Sequence, residues 1–527
     1  MRERESRVAL VAPDNLGTFR SSQIQKENLA LGYLTAQLES LGHKVEIYDA
    51  RLFEAPPETV CEEIIRFNPA LVGISLIVEE ASGWSAKLTS LLKQSALRTH
   101  IVLGGYFPSL QPKRALKLIP EASSVVVGEG ELTLSEIVFK LANQQDLVGI
   151  PGTVSRLPTG KFLYDPRRPL VENLDNLPFP HHYALDRIPE ISIEGSRGCF
   201  NHCTFCAIGP HFNAPPRLAW RGRSPENIVE EMISLRKRAP RINHYRFVDP
   251  DFVGARGFGE QRLFELAELM KRHLPGIKFF IETRPTNVRN KSLFATLKEA
   301  GLAEVYLGIE SGSEKILRCM QKGFSLEQTR NAINLLSELD IDYQYGFMMF
   351  TPWSEEEDIQ ASVAFLRDIG SVQIDKLFYD MYVIPGTPAV KQIKELGMQP
   401  LEEMVGTGHL KHAPILIRQL RLISKTLETE HFDFLTELWF LFKNLRPHLR
   451  EGETWARALE KEVSSLYLDI FVYCLEGVKK INSEDPKIIE TVLAGCISRF
   501  KPKVEKLTSD LLAKVNPPYI SVAWLDF

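Results

Sequence analysis

Between residues 7 and 150, short apolar runs alternate with amphipathic stretches. RVALVAP, KVEIYDA, ALVGISLIV, HIVLGG and SSVVVGEGE read as strands; residues 27–42 read as a helix ending at Gly42, and a second helix falls around Val60–Phe67. Strands this uniformly apolar, separated by helices, predict a parallel sheet covered on both faces, a Rossmann-like doubly wound unit over 1–150. Residues 151–189 break the pattern with prolines and charges, as in PTGKFLYDPRRPL and NLPFPHHYAL, and predict a linker with room for one hairpin. Alternation then resumes. EISIEG, HYRFVD, KFFIE, EVYLGIE, YQYGFMMF and KLFYDMYV read as strands, with helical stretches such as PENIVEEMISLRKR and GEQRLFELAELMKRHL between them. Six such units predict a partial or full β/α barrel over 190–390, with its site at the C-terminal ends of the strands. Helical spacing dominates 391–527, in HLKHAPILIRQLRLISKTL and KEVSSLYLDIFVYCLEGVKKI, with aromatics frequent at 432–442. That predicts amphipathic helices packed on the barrel; a substrate lid or partner surface is the alternative. The fold class is therefore α/β with a helical C-terminal unit.

At 527 residues the chain is long enough for about two to four domains. Its 44% hydrophobic and 25% charged residues argue against extended disorder. With 63 basic and 67 acidic residues, a net charge of −4 and no long basic run, nothing favours nucleic acid. MRERESRVALVAP lacks the apolar stretch of a signal peptide, and no window approaches about 20 uninterrupted apolar residues. The expected location is the cytoplasm, with no membrane span.

There are seven cysteines, and three of them, Cys199, Cys203 and Cys206, lie within eight residues, just after the first strand of the second α/β region. An odd number, otherwise scattered, does not suit a disulfide framework. Thiolates spaced C-x3-C-x2-C are soft donors that suit an iron–sulfur cluster or zinc. Three cysteines on one short loop reach three corners of a four-iron cube and leave one iron open, which implies chemistry. A structural zinc site wants four closed ligands. His202 is the nearest candidate for a fourth, while Cys319, Cys474 and Cys496 look isolated. Gly195 and Gly198 let the loop wrap closely.

This loop, with Phe205 before the last cysteine, resembles the radical S-adenosylmethionine (SAM) superfamily, over roughly residues 185–390. The resemblance implies a [4Fe–4S] cluster on Cys199, Cys203 and Cys206 whose open iron binds the amino and carboxylate groups of SAM. One electron then breaks a carbon–sulfur bond, yielding methionine and a deoxyadenosyl radical that abstracts a substrate hydrogen. It implies an electron donor such as flavodoxin or ferredoxin, and it places Phe205 at the SAM site. Glu310, in LGIESGSEKIL, matches the acidic residue that bonds the SAM ribose; a helix N-terminal carboxylate is the other reading. Arg284, after the third strand, could pair with the SAM carboxylate. Asp249 and Asp251, in FVDPDF, could face the site or cap the next turn. Tyr382 to Pro388 resembles the usual end of the sixth strand, its Pro and Gly shaping a turn.

Residues 7–155 resemble the cobalamin-binding domain fused to many radical SAM enzymes. The matching pieces are Leu31-Gly-Tyr33-Leu, Gly42-His43-x-Val, Gly73-Ile-Ser75, Gly104-Gly105-Tyr106 and Val127-Gly128-Glu129-Gly130-Glu131. The contacts this implies are Ser75, Leu76, Gly104, Gly105, Tyr106, Gly128, Glu129, Gly130 and Glu131. His43 reads as a structural polar residue. The chain departs from the Asp-x-His-x-x-Gly pattern: Pro13-Asp14-Asn15-Leu16-Gly17 holds no histidine to coordinate cobalt. The lower cobalt face is then expected near Leu76-Ile77-Val78-Glu79. Two such cofactors imply radical methylation of an unactivated carbon of a small-molecule substrate, with cyclisation or rearrangement as the second enzymatic reading and a non-catalytic cobalamin sensor or carrier as the reading from another class. No residue of the sequence names the substrate or a catalytic side chain.

Overall fold

The computed structural model describes residues 5–14, 26–254, 257–372, 374–397, 414–430, 454–479 and 486–514. The end of the loop Pro13–Gly17 and the aromatics at 432–442 lie outside the described residues.

The first sheet contains β1 (Arg7–Ala12), β2 (Lys44–Asp49), β3 (Leu71–Ser75), β4 (His100–Gly104), β5 (Ser124–Val126), β6 (Thr153–Arg156) and β7 (Phe162–Tyr164) in the order β2-β1-β3-β4-β5-β6-β7. β1 to β5 are mutually parallel; β6 and β7 add on antiparallel. The hairpin expected after residue 150 is present, and it extends this sheet. Alternate residues of one strand serve opposite cores. Ala9, Val11, Val72, Ile74, Ile101 and Leu103 pack on one face, and Val8, Leu10, Leu71 and Val102 on the other. Burying both faces is why the strands read as continuous apolar runs. The first helix, Leu29–Ser40, starts where the Asn28 side chain accepts from the Leu31 N–H (3.4 Å).

Past residue 190 come β8 (Ile191–Ile193), the short pair β9 (Ser196–Gly198) and β10 (Trp220–Gly222), then β11 (His244–Phe247), β12 (Lys278–Thr283), β13 (Leu302–Glu310) and β14 (Asp342–Phe347). Five of these form a parallel sheet in the order β14-β13-β12-β11-β8. Sequential neighbours joined by helices make a partial barrel. Ile193, Tyr245, Phe279, Ile281, Val305 and Leu307 pack against the helices. Ser192, Arg246, Glu282, Tyr306 and Gln344 alternate with them and occupy the opposite face.

The sixth expected strand, over 376–383, is reduced to one parallel bridge between Phe350 and Asp380. Ile374–Phe378 is a short helix instead. Packing overrides the alternating pattern: Leu377 joins the large core shared with the C-terminal helices, Met381 and Val383 pack with Met320 and Met348, and Asp380 is bound by Arg421 (Nε to Oδ2, 2.8 Å).

The C-terminal helices Ile415–Glu430, Thr454–Lys479 and Pro486–Lys514 bury Ile417, Leu420, Leu427, Tyr467 and Phe471 in the core that also holds the barrel helices. They pack on the barrel as the helical spacing predicted. Cys474 and Cys496, isolated in sequence, are both buried in that same core, each shifting the other's ionisation. Among the described residues no helix is long and apolar enough to cross a membrane.

Candidate functional site

The cysteine loop leaves the barrel where β8 ends. Asp249, after β11, is fully buried, and its two oxygens accept from the Gly195 N–H (2.7 Å) and the Ser196 hydroxyl (2.7 Å). Instead of facing a ligand, it braces the turn into β9; burial pushes its carboxyl up to about 7. β9 then pairs antiparallel with β10, closing the base of loop 199–219. Gly198 has φ +89°, and a Cβ there would meet the Ala219 carbonyl at 2.1 Å, so only glycine passes this point. Across the loop, Asn201 Nδ2 donates to the Lys322 carbonyl (3.0 Å), the Thr204 N–H to the Met320 carbonyl (3.0 Å), and the Ala389 N–H to the Thr204 carbonyl (2.8 Å).

Each of the three sulfurs receives an N–H. The Asn201 amide reaches Cys199 Sγ (3.4 Å), its Nδ2 reaches Cys203 Sγ (3.1 Å), and the Ile208 amide reaches Cys206 Sγ (3.5 Å). Burial pushes Cys199 up to about 12, with Asp251 adding to the rise, and Cys206 up to about 11; Cys203 is raised as well. Thiols so hard to ionise become thiolates when a bound cation supplies positive charge. Three soft donors, each with a preformed N–H···S contact, fit an iron–sulfur cluster. His202 is exposed, and among the described residues no three His, Cys, Asp or Glu side chains converge on a single metal ion.

Beside the loop, Glu310 ends β13 at φ +74°, where the register with β14 shifts. A non-glycine residue held there is a strained position of the kind found at ligand sites. Its Oε1 pairs with Lys322 Nζ (3.2 Å), and that ammonium, buried, lies 5.6 Å from the Phe205 ring centroid and 5.5 Å from that of Phe324. Lys322 draws Cys203 and Cys206 toward the thiolate form. Nothing in the sequence marks it, because a lysine before a glycine reads as surface. Arg284 lies within electrostatic reach of Cys199 and Cys203, and its Nε donates to Asp251 (2.9 Å). Asp251 also accepts from Thr283 (2.8 Å) and Asn287 (2.8 Å), so it anchors the turn that presents Arg284. The structure thus gathers Phe205, Glu310 and Arg284 around the three cysteines and leaves Asp249 beneath them.

The C-terminal edge of the first sheet forms the other half. Gly104 has open space where a Cβ would stand, whereas a Cβ on Gly105 (φ +97°) would meet the Leu76 carbonyl at 2.4 Å. Leu76 is buried, with its N–H on the Gly104 carbonyl (2.8 Å) and its carbonyl accepting from the Phe107 N–H (3.3 Å); it shapes the edge from behind. Ser75 ends β3 half-buried, and Ile77 is exposed. Gly128 turns at φ +81°, its N–H on Ser109 Oγ (3.0 Å). Glu129 and Glu131, placed by the sequence at a ligand, point instead at two arginines that the sequence did not single out. Glu129 binds Arg197 (3.1 Å) and Arg221 (2.9 Å), and Glu131 binds Arg197 (2.7 Å). Gly130, between them, precedes helix Glu131–Ala142. The Tyr106 ring packs at a tilt of 53° against His211 of the short helix Ile208–Phe212, centroids 4.5 Å apart. Burial raises the Tyr106 hydroxyl and lowers His211 to about 4, keeping the imidazole neutral. The two strand-end edges therefore adjoin.

Residues 193–366 match the radical SAM superfamily and residues 21–138 the B12 binding domain. The chain is a radical SAM enzyme that carries a B12-binding domain. The first domain implies SAM and a [4Fe–4S] cluster, the second cobalamin. This radical SAM enzyme is 28% identical to an uncharacterized methyltransferase of Pyrococcus horikoshii over 65% of its length and 73% of the relative's. It is 25% identical to 4'-phospho-dehydrooxetanocin synthase of Priestia megaterium over 69% of its own chain; that alignment spans about half of the relative (53%). The cobalamin-dependent radical enzyme OxsB, solved with aqua-cobalamin, superposes with a TM-score of 0.76 at 18% identity, covering 98% of this chain and 81% of that one. The methyltransferase TsrM of Kitasatospora setae, solved with cobalamin and a [4Fe–4S] cluster, gives 0.61 at 18%, covering 74% and 75%. At these identities the likeness is one of fold.

Proposed function

We propose that this enzyme is a cobalamin-dependent C-methyltransferase that acts on an unactivated carbon of a small molecule. The observation that carries the reading is the junction of two edges: the turn Gly128–Glu131 is ion-paired to the strand that feeds Cys199, and Tyr106 packs against the helix that follows Cys206. A substrate between them would be within reach of both cofactors. When bound, the cluster with SAM supplies a hydrogen-abstracting radical, and cobalamin supplies a methyl group.

The chain's own residues bind and orient. Cys199, Cys203 and Cys206 hold the cluster. Glu310 is positioned to accept from the SAM ribose, Arg284 to pair with the SAM carboxylate, and Phe205 to pack at that site. Ser75, Gly104, Gly105, Tyr106 and the backbone of Gly128 and Gly130 line the cobalamin edge. The polar barrel face carrying Ser192, Arg246, Glu282, Tyr306 and Gln344 suits a polar substrate better than a purely apolar one. Reducing equivalents come from a flavodoxin- or ferredoxin-like donor.

A curated relative named cytidylyl-2-hydroxyethylphosphonate methyltransferase, from Streptomyces wedmorensis (25% identical), favours methyl transfer. A cyclisation or rearrangement retaining both cofactors is the second reading, favoured by the anaerobic magnesium-protoporphyrin IX monomethyl ester cyclase of Rubrivivax gelatinosus (25%). Anaerobic incubation with methyl-labelled SAM and a reductant, in extracts supplying small molecules, tests these. Labelled product together with 5′-deoxyadenosine supports methyl transfer. Unlabelled, rearranged product supports the second reading. A protein that loads both cofactors and releases no 5′-deoxyadenosine is a sensor or carrier.

A further inference from the structure

The two domains meet through a buried charge cluster that neither cofactor site requires by itself. Arg197 and Arg221 face each other in register across β9 and β10. Like charges directly opposite on a strand pair are destabilising, and among the described residues this two-stranded ribbon has no third strand to offset them. The compensation comes from the other domain. Glu129 accepts from both arginines with one oxygen, Oε1, while its Oε2 accepts from the Val171 N–H (2.9 Å). Glu131 takes the far end of the Arg197 guanidinium, and Glu194 of the barrel takes its Nε (2.8 Å). The Arg197 guanidinium also lies 5.1 Å from the Tyr33 ring centroid. Arg197, Arg221, Glu129 and Glu131 are each at most 8% exposed.

Arg197 stands two residues before Cys199, and Glu129 and Glu131 belong to the glycine turn at the cobalamin edge. Buried ion pairs contribute little net stability, because desolvation offsets their attraction; their attested use is to fix register between elements. Removing one partner strands a charge in a dry site, so alternative placements of the two domains are penalised.

We propose that Arg197, Arg221, Glu129 and Glu131 are positioning residues that set the separation and tilt of the cluster loop relative to the cobalamin edge. The idea rests on the two-cofactor reading above. It predicts that loosening the clamp leaves both cofactors bound and disturbs their mutual placement.

The test uses the full chain, reconstituted anaerobically with iron, sulfide and hydroxocobalamin. Iron and corrinoid are counted, and the power saturation of the cob(II)alamin EPR signal is recorded with the cluster reduced; relaxation by a neighbouring spin depends on distance. Expected for Glu129→Gln/Glu131→Gln is wild-type loading with a loss of cluster-induced relaxation, and for Arg197→Lys, which keeps charge without the fork, a smaller loss. The exposed pair Arg217–Glu172 supplies the control: Arg217→Gln retains wild-type relaxation. Wild-type relaxation in a fully loaded double variant overturns the proposal, as does an equal loss in Arg217→Gln. If the double variant fails to load, the single Glu131→Gln decides by the same criteria. A wild-type protein that does not take up both cofactors defeats the two-cofactor reading instead.

Discussion

The two sheets of this enzyme use the same parallel βα grammar and place their chemistry differently. In the first, β1 buries five consecutive residues and alternate side chains enter separate cores on the two faces, so the sheet interior has no room for a ligand. Binding is confined to the strand ends, where glycines replace side chains. In the second, β13 alternates, with Val305, Leu307 and Ile309 in the helix-side core and Glu304, Tyr306 and Glu310 on the other face. That sheet keeps a polar face as well as a site at its strand ends. One sheet can only present a cofactor at its edge; the other can also hold what the cofactor acts on.

The sharpest way to separate the two regions is to remove one ligand. Cys203→Ala should abolish the visible iron–sulfur absorption and all release of 5′-deoxyadenosine, while hydroxocobalamin is still retained; loss of both cofactors would mean the domains are not separable. Gly105→Ala should do the reverse. A Cβ at φ +97° and 2.4 Å from a carbonyl costs about 1–3 kcal/mol in chemical unfolding, and cobalamin retention should fall with iron content unchanged. Glu310→Gln should weaken SAM binding about tenfold by equilibrium dialysis, equivalent to about 1.4 kcal/mol. Unchanged affinity would leave Glu310 as the partner of Lys322 alone.

Gly104→Ala gives a finer contrast with its neighbour. With no heavy atom within 4 Å of the added carbon, unfolding should shift by less than about 0.5 kcal/mol, and only cobalamin affinity should drop. Asp249 supplies a contrast that depends on pH. Its folded-state carboxyl is raised from 3.8 to about 7, so the folded protein holds a proton the unfolded chain has released. Its contribution to stability is full below 3.8 and declines as pH rises to about 7. Thermal unfolding of Asp249→Asn apoprotein should lack that slope; an identical slope in both proteins would refute the assignment.

Strand periodicity, the glycine turns and the C-x3-C-x2-C spacing are local properties, written in consecutive residues, so the fold class, the cysteine loop and the glycine-bearing strand ends could be read from the chain. The sixth strand could not, because packing of Leu377 and Met381 outweighed a valid local pattern. Lys322, Arg197 and Arg221 carry no local mark either. A charged residue reads as solvated until its partners are known, and theirs are Glu310, Glu129 and Glu131, on other elements. The same applies to Asp249: only the fold decides that a carboxylate after a barrel strand turns toward the Gly195 amide and the Ser196 hydroxyl and not toward a ligand, since burial and charge pairing are sums over neighbours distant in sequence.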